Sequence, residues 1–347
     1  MHVPDGFINA PVSAVTGVVA AGAIAVSLRG ARRELDEKTA PLAGLVAAFI
    51  FAVQMLNFPV AAGTSGHLLG GALAAILVGP FTGVLCVSVV LLMQGILFAD
   101  GGLTALGVNI TDMAIVTTVV SYAVFRGLVK VLPRKKRSIT VAAFVSALLS
   151  VPAAAVAFTL IYALGGTTDV PISKVATAMI GVHVLIGIGE ATITALTVGA
   201  VIAVRPDLVY GARGLQQRLK LRVGGELVDT PAPAAAPVAA RTSRRKVWAV
   251  GLVTSLVLAG FVSFYASASP DGLEKVAKDQ GIDKNTKKHH TEDSPLAGYG
   301  VKDISDARIS GGLAGVIGVG VTVVAGSGIF WAVRRRRTAD VSPSQVA

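Results

Sequence analysis

The amino-acid sequence predicts an all-α polytopic membrane protein. Of its 347 residues, 53% are hydrophobic and only 15% are charged, whereas a soluble domain carries roughly 25% charged residues. Several apolar runs reach the roughly 20 residues that a helix needs to cross a bilayer. The 39 glycines fit this class, because helices in lipid pack through small residues.

Nine apolar segments follow one another along the chain, seven of them before residue 205. They lie at about 8–28, 40–57, 67–79, 82–98, 106–127, 139–163, 176–204, 247–268 and 309–333. The third is too short to cross alone, and the Pro- and Gly-rich stretch before it predicts irregular backbone. A short helix is expected at about 272–280, between the last two segments. The pattern therefore predicts a bundle of about seven helices followed by a two-helix unit.

Changes in composition divide the chain into four parts. A Pro/Ala-rich linker at 231–237 marks the best boundary, and a basic amphipathic segment at 214–222 precedes it. The predicted parts are a membrane domain at 1–205, a cytoplasmic segment at 206–245, a two-span unit at 246–335 and a cytoplasmic tail at 336–347.

The basic residues predict how the chain is oriented. Nearly all Lys and Arg of the first seven segments lie in alternate loops, at 29–39, 126–138 and 205–245, while the opposite loops carry only Lys174. By the positive-inside rule the N-terminus lies outside and the C-terminus inside the cell. Orientation thus explains the net charge of +11, and no nucleic-acid partner is expected.

The first two residues carry unusual metal chemistry. An unblocked Met1-His2 offers three nitrogens in a row: the α-amine, the His2 amide and the imidazole. These close adjacent chelate rings on one ion, and a fourth nitrogen would complete the square plane that Ni(II) and Cu(II) favour. No cleavable signal peptide is expected, because no basic region precedes the first span. Met1 should also be retained, because the trimming enzymes prefer a small second residue. The alternative is an ordinary frayed end.

His67 is the candidate for the fourth nitrogen. It follows Gly63-Thr-Ser-Gly66 on the same external side and opens the short third segment. Interrupted helices often build the substrate site of a transporter, and imidazole is the commonest metal ligand. We therefore predict a metal site formed by Met1, His2 and His67. The alternative is that His67 only begins a helix in a hydrated loop.

Other ionisable residues admit two interpretations each. His183 and Glu190 share one helix face and could form a second metal site or a gate, although a structural hydrogen bond is the favoured interpretation. For Asp112, packing against backbone groups is favoured in the same way. His289 and His290 could collect metal transiently, but five nearby lysines favour a solvated loop.

Further features limit the function. A small-residue stripe on the first span suits close helix packing, against either a partner subunit or a helix of the same chain; it consists of Ser13, Gly17, Ala21 and Ala25. No G-x-x-x-x-G-K-[ST] motif occurs, so the chain does not bind ATP in that way. No G-x-S-x-G or H-E-x-x-H motif occurs either. An enzyme is therefore not expected.

Several spaced motifs together resemble one family. They are Met1-His-Val-Pro-Asp-Gly-Phe7, Asn57-Phe-Pro-Val60, Gly63-Thr-Ser-Gly-His-Leu-Leu-Gly70 and Ile186-Gly-Ile-Gly-Glu190. They are similar to those of the CbiM/NikM family, the substrate-binding membrane components of energy-coupling factor (ECF) transporters for cobalt and nickel. Residues 246–335, with Pro270-Asp-Gly-Leu-Glu274, resemble the small accessory component of the nickel systems. The chain thus resembles a natural fusion of the two.

The resemblance implies a division of labour. This chain would capture Ni(II) or Co(II) as transported substrate, with no permanently bound cofactor. A membrane coupling subunit and two cytoplasmic ATPase subunits would drive release, in the cell membrane of a bacterium or archaeon. The family's ligands match the Met1 amine, the His2 amide and imidazole, and His67. The planar site and the accessory unit favour nickel over a cobalt importer that feeds cobalamin biosynthesis. A stand-alone secondary transporter or channel through Asp112 and Glu190 is the competing class, and a metal sensor is a third.

Overall fold

The computed structural model describes residues 1–35, 39–61, 63–215, 220–223, 226–229 and 243–339. Within these ranges the chain is helical apart from loops and two short pairs of strands. Seven of the helices there are long and apolar enough to cross a membrane. The prediction of an all-α polytopic membrane protein is therefore confirmed.

The first part of the chain forms the expected bundle. Its helices are α1 (Ala10–Glu34), α2 (Ala40–Gln54), α3 (Gly71–Val78), α4 (Pro80–Leu97), α5 (Leu106–Asn109), α6 (Thr117–Val131), α7 (Lys136–Gly165) and α8 (Ile172–Val204). A π-helical turn at Ile110–Val116 joins α5 to α6, so the two act as one span. Between α2 and α3, strands β1 (Phe58–Ala61) and β2 (Thr64–Gly66) pair antiparallel.

The second part begins with strands β3 (Lys220–Val223) and β4 (Glu226–Asp229), which pair antiparallel. It continues with α9 (Arg244–Gly260), α10 (Gly272–Gln280) and α11 (Ala307–Ala339). Helix α10 has the bounds expected for the short external helix, while β3 occupies part of the segment predicted to be amphipathic. The linker at 231–237 and the end of the tail, 340–347, lie outside the described residues.

Two of the nine apolar segments are too short to cross a membrane. Helix α2 has 15 residues. Helix α3 has eight residues, and all eight are buried. Gly70 at φ 90° and Gly79 at φ 104° flank α3, conformations that residues with a Cβ rarely adopt. Helix α3 is therefore an internal helix, surrounded by α4, α6 and α7. Its deep position holds the preceding His67 segment inside protein, where irregular backbone is tolerated.

The two parts pack against each other through α2. Helix α11 lies along α2, and α9 contacts both. A Cβ on Gly44 of α2 would lie 2.3 Å from the Ser327 hydroxyl oxygen, and one on Gly315 would lie 2.3 Å from the Ala259 carbonyl oxygen. Glycines of the last span thus pack within the chain. In the α1 stripe, Gly17 meets Gly107 of the same chain, while Ala21 and Ala25 are exposed.

Candidate metal centre

Residues 1–9, which precede α1, enter the end of the bundle and turn at Asp5 and Gly6. Val3 is fully buried, and Met1 is 3% exposed. The side chain of Asn109, at the end of α5, pairs with Val3 as a neighbouring strand would. Its Oδ1 accepts from the Val3 N–H at 2.7 Å, and its Nδ2 donates to the Val3 carbonyl at 3.2 Å. The frayed-end alternative is therefore wrong for this structure.

The rest of the segment is held at Asp5, Gly6 and Asn9. Asp5 Oδ1 accepts from the N–H and the hydroxyl of Thr104, at 2.8 and 2.5 Å. Gly6 has φ +93°, and a Cβ there would lie 2.2 Å from the Asn285 carbonyl oxygen, so only glycine fits. The Asn9 N–H donates to the Gly165 carbonyl at 2.7 Å. These contacts hold the segment in place and thereby determine how far the α-amine extends into the bundle.

Met1 and His67, 66 positions apart, meet at the tip of this segment. The α-amine nitrogen lies 2.6 Å from Nε2 of His67. His67 Nδ1 donates to the Leu68 carbonyl at 2.9 Å, which leaves the lone pair of Nε2 directed at the amine. A backbone partner on the other ring nitrogen is the usual way in which a protein orients a metal-binding histidine.

The His2 ring stacks on that of His67, with centroids 5.1 Å apart and an interplanar angle of 23°. Its Nε2 donates to Oε1 of Gln94 at 3.1 Å, which leaves the lone pair on Nδ1. Nδ1 is the nitrogen that closes a six-membered chelate ring with the amide of the same residue. Burial lowers the pKa of His2 to about 4, although Asp100 opposes the shift. The imidazole is therefore neutral near pH 7, the form that binds metals.

Asp271, from the second part of the chain, completes the cluster. Its Oδ2 lies 2.7 Å from the Met1 nitrogen and 3.5 Å from His67 Nε2. Burial alone would raise the pKa of Asp271, but the charge of the Met1 ammonium holds it well below its usual value. Ligand atoms of His2, His67 and Asp271 all lie within 4.8 Å of one another.

Sequence reasoning missed Asp271 as a site residue. The available signals were an aspartate directly before a predicted helix and its place in Pro270-Asp-Gly-Leu-Glu274. Both explain the capping role, in which Oδ1 accepts from the Glu274 N–H at 2.8 Å. Neither points to Met1, which lies 270 positions away.

A cavity of about 760 Å³ adjoins the cluster, and both parts of the chain line it. Asp100 lies on one wall, with Oδ1 3.4 Å from His2 Nδ1. Tyr299, on the other wall, donates its hydroxyl to Asp100 Oδ2 at 2.5 Å. Glu274 and Arg308 also line the cavity. The cavity therefore provides space beside the cluster through which a hydrated ion can approach His2.

Glu190 and His183 are buried on α8 and are not among the converging ligands. Glu190 accepts from the N–H groups of Leu69 and Gly70, at 2.5 and 3.0 Å, which agrees with the favoured hydrogen-bond interpretation. His183 donates from Nδ1 to the Met179 carbonyl at 2.8 Å, and its buried Nε2 has no hydrogen-bond partner among the described residues. It lines a small pocket with Met1, His67 and Asp271 but is not one of the converging ligands.

Asp112 and the loop histidines also stand apart. Asp112 is buried in the π-helical turn, and neither carboxylate oxygen has a hydrogen-bond partner in the part of the chain that the structure describes. This differs from the favoured interpretation, packing against backbone groups. His289 uses both ring nitrogens, Nδ1 accepting from the Thr291 N–H and Nε2 donating to the Gly101 carbonyl. His290 is 66% exposed. A metal-collecting role of His289 is therefore disfavoured.

The donor set determines which ions fit. An amine, an amide and two imidazoles are nitrogen ligands that suit Ni(II), Co(II) or Cu(II). Mg(II) and Ca(II) prefer shells of oxygen ligands. The described cluster brings the Met1 amine and the His2 and His67 imidazoles together beside one carboxylate, a nitrogen-rich set that suits a transition metal.

Comparison with known proteins shows the family to which the chain belongs. Residues 2–208 match the CbiM family model, described as cobalt uptake substrate-specific transmembrane region, and residues 245–335 match the PDGLE domain. The chain is 39% identical to a putative metal transport protein of Haloquadratum walsbyi over 60% of this chain and 94% of that one. It is 38% identical to a putative fused nickel transport protein, NikMN, of Archaeoglobus fulgidus over 60% of this chain and 68% of that one.

A solved structure shows the same fold. The crystal structure of a truncated transition metal transporter is 28% identical, with a TM-score of 0.52 over 58% of this chain and 99% of that one. The family match covers more than half of the chain and includes His2 and His67. The chain therefore belongs to the CbiM family, with a PDGLE domain fused after it.

Proposed function

We propose that this chain is the substrate-capture component of an ATP-driven ECF-type importer for Ni(II) or Co(II). One observation carries the proposal: the Met1 amine lies 2.6 Å from His67 Nε2 with the His2 ring stacked beside it. The ligands would be the Met1 amine, the His2 amide, His2 Nδ1 and His67 Nε2. The metal replaces protons on the amine and the amide, so its affinity falls with acidity.

The chain would not hydrolyse ATP itself. A membrane coupling subunit and two cytoplasmic ATPase subunits would supply the energy, since the sequence has no phosphate loop of the Walker type. The N-terminus and α10 would face the exterior, and the Arg-rich end of α11 the cytoplasm of a bacterium or archaeon, as the positive-inside rule expects. Uptake by this chain alone, insensitive to ATP depletion, would instead support a secondary transporter.

Nickel is the preferred substrate in this proposal. A planar four-nitrogen site suits Ni(II), and the Archaeoglobus fulgidus relative, 38% identical over 60% of this chain, is called a putative fused nickel transport protein. The alternative is a cobalt importer that feeds cobalamin biosynthesis, in line with the description of the matching family. Calorimetric titration of the purified chain with Ni(II) and Co(II) separates the two.

Lengthening the N-terminus tests the site directly. Two glutamines inserted between Met1 and His2 keep every side chain, and their size keeps Met1 from being trimmed. They move the amine too far along the chain to close adjacent chelate rings with the amide and imidazole of the histidine. We expect the Ni(II) dissociation constant to rise by at least about 100-fold, because ligand loss exceeds the 10- to 100-fold effect of second-shell changes. Two glutamines added after Ala347 are the control. Wild-type affinity in the N-terminal variant would falsify the proposed ligand set.

A further inference from the structure

We propose that Asp271 of the PDGLE segment is the residue that holds the N-terminus in the metal site and then stays beside the captured ion. This inference rests on the proposed function and assigns a task to the fused C-terminal unit. It starts from one contact, the 2.7 Å ion pair between Asp271 Oδ2 and the Met1 amine. The same oxygen lies 3.5 Å from His67 Nε2.

The neighbours of Asp271 place it firmly over the site. The Pro270 carbonyl accepts from the Ser65 N–H at 2.8 Å, two residues before His67. The Ser65 hydroxyl donates to the Ser269 carbonyl at 2.7 Å. The PDGLE segment is therefore tied to the same short strand that leads into a metal ligand.

On its other side the segment packs into α8 and begins α10. A Cβ on Gly272 would lie 2.7 Å from Ile186 Cδ1, so the backbone meets α8 without room for a side chain. Leu273 is 1% exposed, which anchors the first turn of α10. Asp271 Oδ1 caps that helix through the Glu274 N–H, and Oδ2 is thereby directed at Met1.

Each half of the Asp271 carboxylate thus has a separate task. Oδ1 caps helix α10. Oδ2 forms the ion pair with the Met1 amine and lies beside His67. The cavity beside the cluster brings an arriving ion to the same place, because Asp271, His2 and His67 all line it. A carboxylate at this point offers a hydrated cation an anionic contact beside the two histidines and keeps the amine next to them until the ion is bound.

Asp271 is expected to affect metal affinity by holding the amine in position. What a variant without Asp271 loses is the position of the amine, together with one charge-assisted contact. Loss of Asp271 therefore weakens metal binding.

The test uses the full chain with Asp271→Ser. Serine caps a helix nearly as well as aspartate, so α10 keeps its N-cap while the second carboxylate oxygen is lost. Asp271→Asn serves as the second variant, since asparagine caps equally well and keeps the shape of the side chain. Glu274→Gln is the matched control, because it removes a charge from the same cavity without touching Met1 or His67.

Two readouts are compared. Without metal, acylation of the Met1 amine, followed on the N-terminal peptide by mass spectrometry, should be at least about tenfold faster in the Asp271 variants, since a charge-assisted contact holds the amine. With NiCl2, their dissociation constant should rise by at least about tenfold. Glu274→Gln should stay within about threefold of wild type in both, as expected for an exposed charge.

The outcomes separate the inference from the proposed function. Acylation rates and affinities equal to wild type in both Asp271 variants overturn the inference. A wild-type chain that does not bind Ni(II) overturns the proposed function, while the metal-free acylation still decides whether Asp271 holds the terminus.

Discussion

The α-amine of Met1 and Nε2 of His67 lie 2.6 Å apart, although 66 positions separate them. The contact depends on residues 1–9 being held inside the end of the bundle and on α3 being deeply buried. A free chain end normally stays in solvent. Here it is an internal group, so the backbone at the start of the chain is part of the candidate site.

His67 and His183 provide a matched comparison of two buried histidines. His67→Ala removes a proposed ligand and should raise the Ni(II) dissociation constant by at least about 100-fold, beyond the range of second-shell changes. His183→Ala should change it by less than about fivefold, because His183 lies outside the converging ligand set. Titration of both purified variants with Ni(II) measures this difference. Equal losses in the two would place His183 among the ligands.

The lowered pKa of His2, about 4, predicts a pH dependence of stability without metal. Unfolded His2 titrates near 6.5, so between pH 6.5 and 4 the unfolded state binds a proton that the folded state does not. Stability therefore falls as pH falls through this window, by at most about 3 kcal/mol. Melting curves of metal-free wild type should shift down more steeply from pH 7 to 4.5 than those of His2→Gln. Exposed His290→Gln should follow wild type.

Asn109 is predicted to hold the N-terminal segment through Val3. Asn109→Leu keeps the size of the side chain but leaves the Val3 N–H without its partner, at a cost of about 1–3 kcal/mol. The segment should loosen, and Ni(II) should bind at least about tenfold more weakly. Thr111→Val is the control, because that hydroxyl only donates to the Gly107 carbonyl of its own helix. An unchanged titration of Asn109→Leu would show that Asn109 is dispensable.

Glu190 is predicted to act on stability rather than on the metal directly. Glu190→Ala leaves the N–H groups of Leu69 and Gly70 without their acceptor, at about 1–3 kcal/mol for each. Glu190→Gln keeps one acceptor oxygen and should fall between alanine and wild type in thermal melting. Thr194→Val, one turn along α8, removes a hydroxyl with no hydrogen-bond partner among the described residues and should not destabilise. The opposite ranking of glutamine and alanine would contradict this role.

The sequence predicted the parts of the site that have local signals. Met1-His2 is a chelating sequence by itself, and His67 follows an evident helix break, so both were recognisable without coordinates. The apolar runs likewise indicated the helices, although α2 and α3 are too short to span, because length alone does not distinguish an internal helix from a crossing one.

Asp271, Asn109 and Gln94 could not be found in this way. Each acts on the first three residues through a contact that only the tertiary packing creates, and each has an ordinary local explanation. Asp271 is also a helix cap, and Gln94 lies in an apolar helix. A polar residue reveals a distant partner only when the fold brings the two together.

The ion pair of Met1 and Asp271 makes metal capture an electroneutral exchange in the proposed mechanism. Before capture the ammonium and the carboxylate sum to zero. After capture, one divalent ion, one deprotonated amide and one carboxylate again sum to zero, and two protons have left. Capture therefore leaves the net charge of these groups unchanged, and it adds no charge to a buried site, where an uncompensated one would be costly. At constant pH, the Ni(II) affinity of the wild-type chain should accordingly depend little on ionic strength, whereas that of Asp271→Asn should vary with it.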